Sequence, residues 1–481
     1  MDQSIFKKRR KEFLRRITEA GGGVVVLEAG TQTQRNHDVE HEFRQDSNFY
    51  YLTRLEQPGA IAVFDPSSKK PYTLFVHPRE AKKELWSGPS VGVDEAIKYY
   101  QSDHAVDIGN WKLEIGNLLS RASRLWYRLD SSSKTGHLLQ EVLEQLRDNT
   151  RSGKNAPDSI YNPLPLIAEM RLIKSKEEIV AIQKAIDVTA QGFRQCLEVL
   201  KPGLRQYQLR AEFEHALSWR GVARHAYPAI ITSGAGTCVL HNPHDRGVIQ
   251  KNSLVLVDAG AEWDYYAADI TRTVPASGTF NKQQRTVYEI VLEAQERAIA
   301  MIKPGVTWQT LEDSAREFMT KQLVKYKVLL PESRPSRKAG SRGDRLNSLS
   351  LSQIYFPHKL GHWLGLDVHD VGLYTQPNVN FQFPIFNFQK NGPQKTKAKK
   401  YSIPNTPYPI LNRPFAPGMV LTIEPGIYLR PSRDIAKEYW NIGIRIEDDI
   451  LVTRTGSKNL SQAIPKDPDV LERMIQKAQS K

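Results

Sequence analysis

VLVDAGAEWDYYAADITRT, residues 255–273, is one apolar run, a polar reversal and a second apolar run, with Asp258 and Asp269 on either side of the reversal. Short β-branched runs bounded in this way read as a hairpin or a pair of adjacent strands. Adjacent strands bring the two carboxylates together. Two carboxylates in an apolar sheet repel each other and lose hydration, so the pair needs a cation or shared protons. The alternative is that each aspartate caps a strand end in solvent.

Three more blocks carry groups of the same kind. LTIEPGIYL (421–429) places Glu424 at the end of a strand-like run, where Val420, Thr422 and Glu424 share one face. IGIRIEDD (442–449) holds Glu447, with Arg445 two residues before it on the same face. Arg445 is therefore an alternative partner for Glu447, as half of a buried ion pair. HKLGHWLGLDVHD (358–370) supplies His358, His362 and His369. His358 and His362 have the spacing of the zinc-protease helix H-E-x-x-H, but Lys359 stands where the glutamate base belongs, and Gly361 and Gly365 weaken a helix. A loop or strand lined by these histidines is the expectation. His241, in SGAGTCVLHNPH, reads equally well as a site residue or a structural one.

Four carboxylates and one imidazole, Asp258, Asp269, Glu424, Glu447 and His362, form a ligand set for two divalent cations. Oxygen-dominated ligation suits Mn²⁺, Co²⁺, Fe²⁺ or Zn²⁺ better than a thiolate site would. Two such ions about 4 Å apart share a water, lower its pKa to near neutral and polarise a carbonyl. A histidine nearby stabilises a tetrahedral intermediate, and Glu424 carries the water's proton to a leaving amine. A hydrolase is the function class this chemistry indicates.

Length and composition set the frame. The chain has 481 residues, 40% hydrophobic and 25% charged, which suits a globular protein of two domains. Its apolar stretches are too short to span a bilayer. Cys196 and Cys238 match no zinc or disulfide spacing, and the cytoplasm is the expected compartment. The basic N-terminus lacks an apolar core for secretion; Phe6, Phe13, Leu14 and Ile17 recur at helical spacing and predict an amphipathic surface helix. Segments 1–16, 331–346 and 390–400 together carry +13 of the net +14. Charge confined to loops and one terminus, without interleaved aromatics, argues against specific nucleic-acid binding.

NTRSGKNAPDSIYNPLPL (149–166), rich in Pro, Asn, Gly and Ser, reads as a connector. Before it, β-like runs (VVVL, IAVF, YTLFV) alternate with helical stretches such as 137–147, as in a small α/β domain. After it, two long helical segments each end in Lys-Pro-Gly, at 201–203 and 303–305, and each is followed by a second helix and a strand-rich region. Proline cannot continue a helix and glycine permits the reversal. The echo predicts a duplicated architecture, with the aspartates in one half and the glutamates in the other.

Taken in order, these blocks resemble those of the pita-bread metallopeptidases, the creatinase/prolidase group, and within it the aminopeptidase P branch. FRQDSNFYYLTRLEQPGAIAVF (43–64) is similar to that branch's amino domain. The resemblance implies an α/β (α+β) fold, with a small α/β N-terminal domain over 1–165 and a pita-bread domain with pseudo-twofold symmetry over 166–460. Residues 461–481 are then a tail. It implies a metallo-aminopeptidase that hydrolyses the bond between an N-terminal residue and a penultimate proline, using a hydroxide bridging two divalent ions, usually Mn²⁺. Asp258, Asp269, His362, Glu424 and Glu447 would be the ligands, with Asp269 and Glu447 bridging. His241, His358, His369 and Arg445 match positions lining the substrate pocket; His369, Glu424 and His358 would act in catalysis. Trp86 matches a tryptophan that in some relatives reaches a neighbouring subunit's site, as in a homo-oligomer, dimer or tetramer. Peptides with proline second are the implied partners, with neither a membrane nor a specific nucleic acid.

Two alternatives go with this reading: a prolidase limited to Xaa-Pro dipeptides, and a catalytically inactive binding module. The sequence departs from the branch at 376–413, an insertion beside the histidine block with alternating Phe381, Phe383 and Ile385 and a lysine-rich second part. A flap narrowing access is one expectation, and a surface insertion without function is the other.

Overall fold

The structure, a computed structural model, describes residues 1–130, 133–330, 352–375 and 411–480. The basic segment 331–346 and residues 376–410 of the insertion, including the flap expected there, lie outside the described residues. The chain divides into two compact units, one closing at Glu169 and the next opening at Met170.

The first unit carries β1 Val24–Glu28, β2 Gln34–Asn36, β3 Val39–Glu40, β4 Ile61–Phe64, β5 Tyr72–Val76, β6 His104–Asp107, β7 Arg124–Trp126 and β8 Ser159–Tyr161. Six of these form one mixed sheet in the order β6-β5-β4-β1-β7-β8. The runs VVVL, IAVF and YTLFV are buried at every residue, as strands covered on both faces must be. The connector is less irregular than its composition predicts. Its Ser159–Tyr161 pairs in parallel with β7, and Tyr161 packs on Trp126 with ring centroids 5.0 Å apart. The amphipathic N-terminal helix runs Gln3–Glu19 and buries Phe6, Phe13 and Ile17. Arg9 and Arg10 are buried with them and donate to the carbonyls of Tyr51 and Leu52. Those carbonyls lie in the last turn of helix Ser47–Thr53, so part of the basic N-terminus serves helix capping. Leu85 and Trp86 stand almost fully exposed.

The second unit repeats one plan. Helices Lys176–Val199 and Gln206–Ser218 precede β9 Arg224–His225, β10 Ile230–Ser233, β11 Leu254–Ala259, β12 Ala261–Trp263, β13 Tyr266–Ala267 and β14 Ile270–Pro275. Helices Lys282–Met301 and Trp308–Lys325 precede β15 Val420–Ile423, β16 Gly426–Leu429, β17 Ile442–Arg445, β18 Asp448–Val452 and β19 Ser457–Asn459. Each half has a three-stranded antiparallel sheet, β10-β11-β14 and β15-β18-β19. The Lys-Pro-Gly echo is structural. Gly203 and Gly305 both take left-handed φ, +94° and +90°, and their N–H groups bond the carbonyls of Ile249 and Phe415. Two residues on, Arg205 pairs with Val248 and Thr307 with Pro414 as isolated antiparallel bridges. The stretch read as a tail instead ends in helix Pro468–Gln479, which buries Leu471 and Ile475 and packs on helix Lys176–Val199.

Both cysteines are free and buried, and burial pushes their thiols up, Cys238 to about 11. Among the described residues no helix is long and apolar enough to cross a membrane.

Candidate metal centre

β11 and β14 pair antiparallel with Asp258 opposite Thr271, and Asp269 immediately precedes β14. The reversal between them is β12 and β13, which leave for a separate sheet with β9. Asp258 and Asp269 are thus neighbours at one sheet end, both buried. Tyr227 confirms the closeness: its hydroxyl lies 2.6 Å from Asp258 Oδ1 and 2.5 Å from Asp269 Oδ1. A hydroxyl has one proton, so it donates to one carboxylate and leaves the other contact to be resolved by a further proton or a cation.

The glutamates occupy breaks between strands. Glu424 follows β15 and Glu447 falls between β17 and β18. Glu447 crosses to the first half of the unit: its N–H donates to Thr271 O at 3.1 Å, and Thr271 Oγ1 donates to Glu447 Oε2 at 2.7 Å. The alternative ion pair between Arg445 and Glu447 is not made. Arg445 pairs instead with Asp258, and also donates to Tyr428 Oη (2.8 Å) and Thr271 Oγ1 (3.3 Å). Both side chains still converge on Thr271 Oγ1, which accepts from Arg445 Nε and donates to Glu447 Oε2, so the hydroxyl stands between them while Asp258 takes the guanidinium.

The histidine block is extended, not helical. Glu424 N donates to Leu360 O, Thr422 N to His362 O, and Leu364 N to Val420 O, which lays residues 360–364 along β15. His362 Nδ1 is 3.0 Å from the Trp363 carbonyl. A carbonyl only accepts, so Nδ1 carries the proton and Nε2 faces the centre. There it lies 3.3 Å from Asp269 Oδ2 and 3.5 Å from Glu424 Oε1. An imidazole nitrogen held between two carboxylate oxygens requires a proton or a cation. Burial opposes its charge, yet Asp269 and Glu424 raise His362 to about 9. Ligand atoms of Asp269, His362 and Glu447 all fall within 4.8 Å of one another. Glu424 joins this cluster through His362, and Asp258 through Tyr227.

The acids pay for this proximity. Burial raises Glu424 to about 7, with Asp269 adding to the effect and His362 opposing it. Burial also lifts Glu447 well above the carboxylate range, with Asp269, Glu424 and Asp258 reinforcing it. Asp258 is raised by burial and by Asp269 despite Arg445. Buried acids that push one another toward protonation, around an imidazole whose tautomer is fixed from outside, are the donor set that divalent cations neutralise. The five residues fit such ions.

The centre opens on a cavity of about 890 Å³ whose lining includes His241, His358, His369 and Arg445. His369 is exposed to it, its ring edge-on to His362 with centroids 4.4 Å apart; burial and the neighbouring His362 lower its pKa. His358 is differently committed. Nδ1 lies 2.8 Å from the Lys359 carbonyl and Nε2 2.8 Å from Tyr428 Oη, which in turn accepts from Arg445. Both ring nitrogens are engaged, and burial with Arg445 lowers its pKa to about 3. A neutral ring with both nitrogens occupied offers its face as a wall.

Several residues of the site escape the sequence reading. Tyr227 carries no periodic or spacing signal. Tyr428 shares parity with Glu424, and that alternation is a usable sign. Arg171 and Lys174 grip Asp370 at 2.6 and 2.9 Å, and Arg171 also reaches Asp367 at 2.7 Å, which pins both sides of His369. Nothing local to Arg171 or Lys174 marks that contact, nearly 200 residues distant.

Comparison with known proteins agrees with this geometry. Residues 180–454 match metallopeptidase family M24, and residues 6–126 match the aminopeptidase P N-terminal domain. The chain is 31% identical over 472 residues to the Xaa-Pro aminopeptidase of Escherichia coli, covering 98% of this chain and 97% of that one. Its structure is similar to that of Pseudomonas aeruginosa aminopeptidase PepP (TM-score 0.87, 32% identity, 100% and 99% coverage). It is equally similar to zinc-substituted E. coli aminopeptidase P in complex with product (TM-score 0.87, 30% identity, 99% of each chain). With candidate metal-binding side chains gathered on a duplicated pita-bread scaffold, and an aminopeptidase P domain before it, this chain belongs to metallopeptidase family M24 and is a peptidase.

Proposed function

We propose that the protein is a metallo-aminopeptidase that releases the N-terminal residue from peptides with proline second, with Asp258, Asp269, His362, Glu424 and Glu447 holding two divalent ions. The observation that carries the reading is His362 Nε2, set between carboxylate oxygens of Asp269 and Glu424 with its other nitrogen bound to a carbonyl. Manganese is the proposed native metal, because oxygen donors with a single imidazole favour a hard ion; cobalt, zinc and iron remain alternatives within the same set. When bound, such ions supply the Lewis acidity that polarises a scissile carbonyl and lowers the pKa of water.

The chain's own residues do the rest. Glu424, lining the cavity beside the cluster, takes a proton from the attacking water and returns it to the proline nitrogen as the C–N bond breaks. His369 stands exposed at the cavity wall, where an N–H can donate to the oxygen of the tetrahedral intermediate. His358 and His241 offer ring faces to the pyrrolidine. Arg445 is occupied by Asp258 and Tyr428, so its part is to orient Asp258 beside the substrate. A pocket that reads the pyrrolidine ring suits an imide bond, since the nitrogen before proline has no N–H for strand-like recognition.

The test is hydrolysis of Arg-Pro-Pro and Gly-Pro by metal-stripped protein with and without Mn²⁺. Release of Arg from the tripeptide, restored by Mn²⁺, is the expected result. Cleavage of Gly-Pro alone would return the protein to the prolidase reading. Failure to cleave either peptide with Mn²⁺, Co²⁺ or Zn²⁺ would overturn the assignment.

A further inference from the structure

Glu424 and Glu447 come from separate strands, yet the backbone before each is held by one side chain. Gln295, wholly buried on helix Lys282–Met301, donates from Nε2 to the carbonyls of Ile423 and Ile446, 3.1 Å to each. Ile423 and Ile446 are the residues immediately before the two glutamates. Both carbonyls lie at strand ends, where β15 and β17 stop and regular pairing gives way to the glutamate-bearing breaks. Buried carbonyls there need a donor from elsewhere.

The amide is itself held. Gln295 Oε1 accepts from Lys466 Nζ at 2.7 Å, which fixes which end of the amide faces the strands. Lys466 Nζ also donates to Asp448 Oδ2 at 2.7 Å, and Asp448 Oδ1 accepts from Arg272 Nη2 at 2.7 Å. Arg272 Nη1 then donates to the carbonyls of Glu447 (2.7 Å) and Thr271 (2.9 Å). The peptide units on both sides of Glu447 are therefore tied into one buried network. Gln295 is the member that extends it to Glu424.

We propose that Gln295 is a positioning residue for the metal centre: a single amide, bound to the carbonyls preceding Glu424 and Glu447, sets the separation of the two glutamates and with it the ability to bind two ions as a pair. The inference rests on the metal-centre reading above. Gln295 touches none of the five ligand side chains. Its effect runs through the backbone, as an outer-shell partner orients a ligand.

The test is calorimetric titration of Mn²⁺ into the metal-stripped full-length protein, with electron paramagnetic resonance of the loaded form. Gln295→Met removes both donors at similar volume; Gln295→Glu removes them but keeps an acceptor for Lys466, and decides the matter if the first variant does not fold. Val287→Ala, a cavity at a buried position on the same helix eight residues before Gln295, is the control for lost stability alone. The expected result is two ions in the parent and in V287A. In Q295M and Q295E the weaker site should lose about 10–100-fold in affinity and the exchange-coupled signal should be lost. A parent binding fewer than two ions would overturn the metal-centre reading beneath the proposal. A parent with two ions, and Gln295 variants within twofold of it with the coupled signal intact, would overturn the positioning role alone.

Discussion

Tyr227 shows how one side chain shapes the chemistry of two others. Its hydroxyl is shared between Asp258 and Asp269, while Arg445 neutralises Asp258 from the far side. Burial and the three nearby carboxylates Asp258, Asp269 and Glu447 raise its own pKa well above the usual phenol value, so it stays a donor at any working pH. Removing the hydroxyl with Tyr227→Phe leaves buried carboxylate oxygens without their donor, at a cost of about 1–3 kcal/mol. The metal-free variant should melt several degrees below the metal-free parent, and Mn²⁺ should narrow the gap because the ions neutralise the same oxygens. Equal melting temperatures without metal would mean that the hydroxyl is not compensating the pair. His362 is the complementary case: the Trp363 carbonyl chooses its tautomer, and the acids beyond it choose its charge.

Among elements, the site depends on close approach between the ends of β11 and β14. Asp258 and Asp269 can be neighbours only because the chain leaves β11 at Gly260 and returns at Ala268 with almost no space between them. A Cβ placed on Gly260 would lie 1.8 Å from the Ala268 carbonyl oxygen. Gly260→Ala therefore forces the strand ends apart, with an expected loss of about 1–3 kcal/mol. Denaturant midpoints check the stability, and Mn²⁺ titration checks the site, which should weaken with it. An alanine variant with the parent's midpoint would show that this approach is slack. The histidine block is held in the same manner, by hydrogen bonds to β15 and not by helical geometry. Its i, i+4 histidines both approach Glu424 but are committed differently: His362 Nε2 faces the cluster, while His358 has Nε2 on Tyr428 and Nδ1 3.7 Å from Glu424.

At the scale of the molecule, the centre couples stability to pH and metal. His362 has a folded pKa near 9 against an ordinary 6.5, so the folded state holds a proton that the unfolded state has released. That contribution is complete below pH 6.5 and is lost as pH rises through 9, worth roughly 3 kcal/mol. Glu447 and Asp258, acids with raised pKa, act in the same direction. Glu424 acts likewise between its ordinary 4.5 and about 7, while His358, lowered to about 3, opposes it below pH 6.5. The clean window is pH 7–9. Metal-free protein should lose stability across it, and Mn²⁺ should remove or reverse the slope, because cations replace protons on these ligands. Calorimetric scans at several pH values, with chelator and with Mn²⁺, check this; a flat metal-free profile would deny that the ligands are mutually strained.

Much of the protein was legible in the chain alone. The 3.6-residue periodicity and the Lys-Pro-Gly stops set the long helices to within a residue or two, and short β-branched runs set the strands, because both depend on neighbours close in sequence. Proximity of Asp258 to Asp269 followed from a local reversal, and Lys359 was enough to dismiss a zinc-protease helix. What the tertiary structure alone decided was the choice of partners. Arg445 binds Asp258, 187 residues away, and not Glu447, two residues away, because the Thr271 hydroxyl, brought in from the other half, stands between the near pair. Tyr227, Arg171 and Gln295 acquire their roles from contacts 31 to 199 residues distant. The stretch taken for a tail folds onto the unit because Leu471 and Ile475 find an apolar helix face to cover. Local pattern determines which residues can carry charge into a core; only the packed chain determines which opposite charge, hydroxyl or amide meets them there.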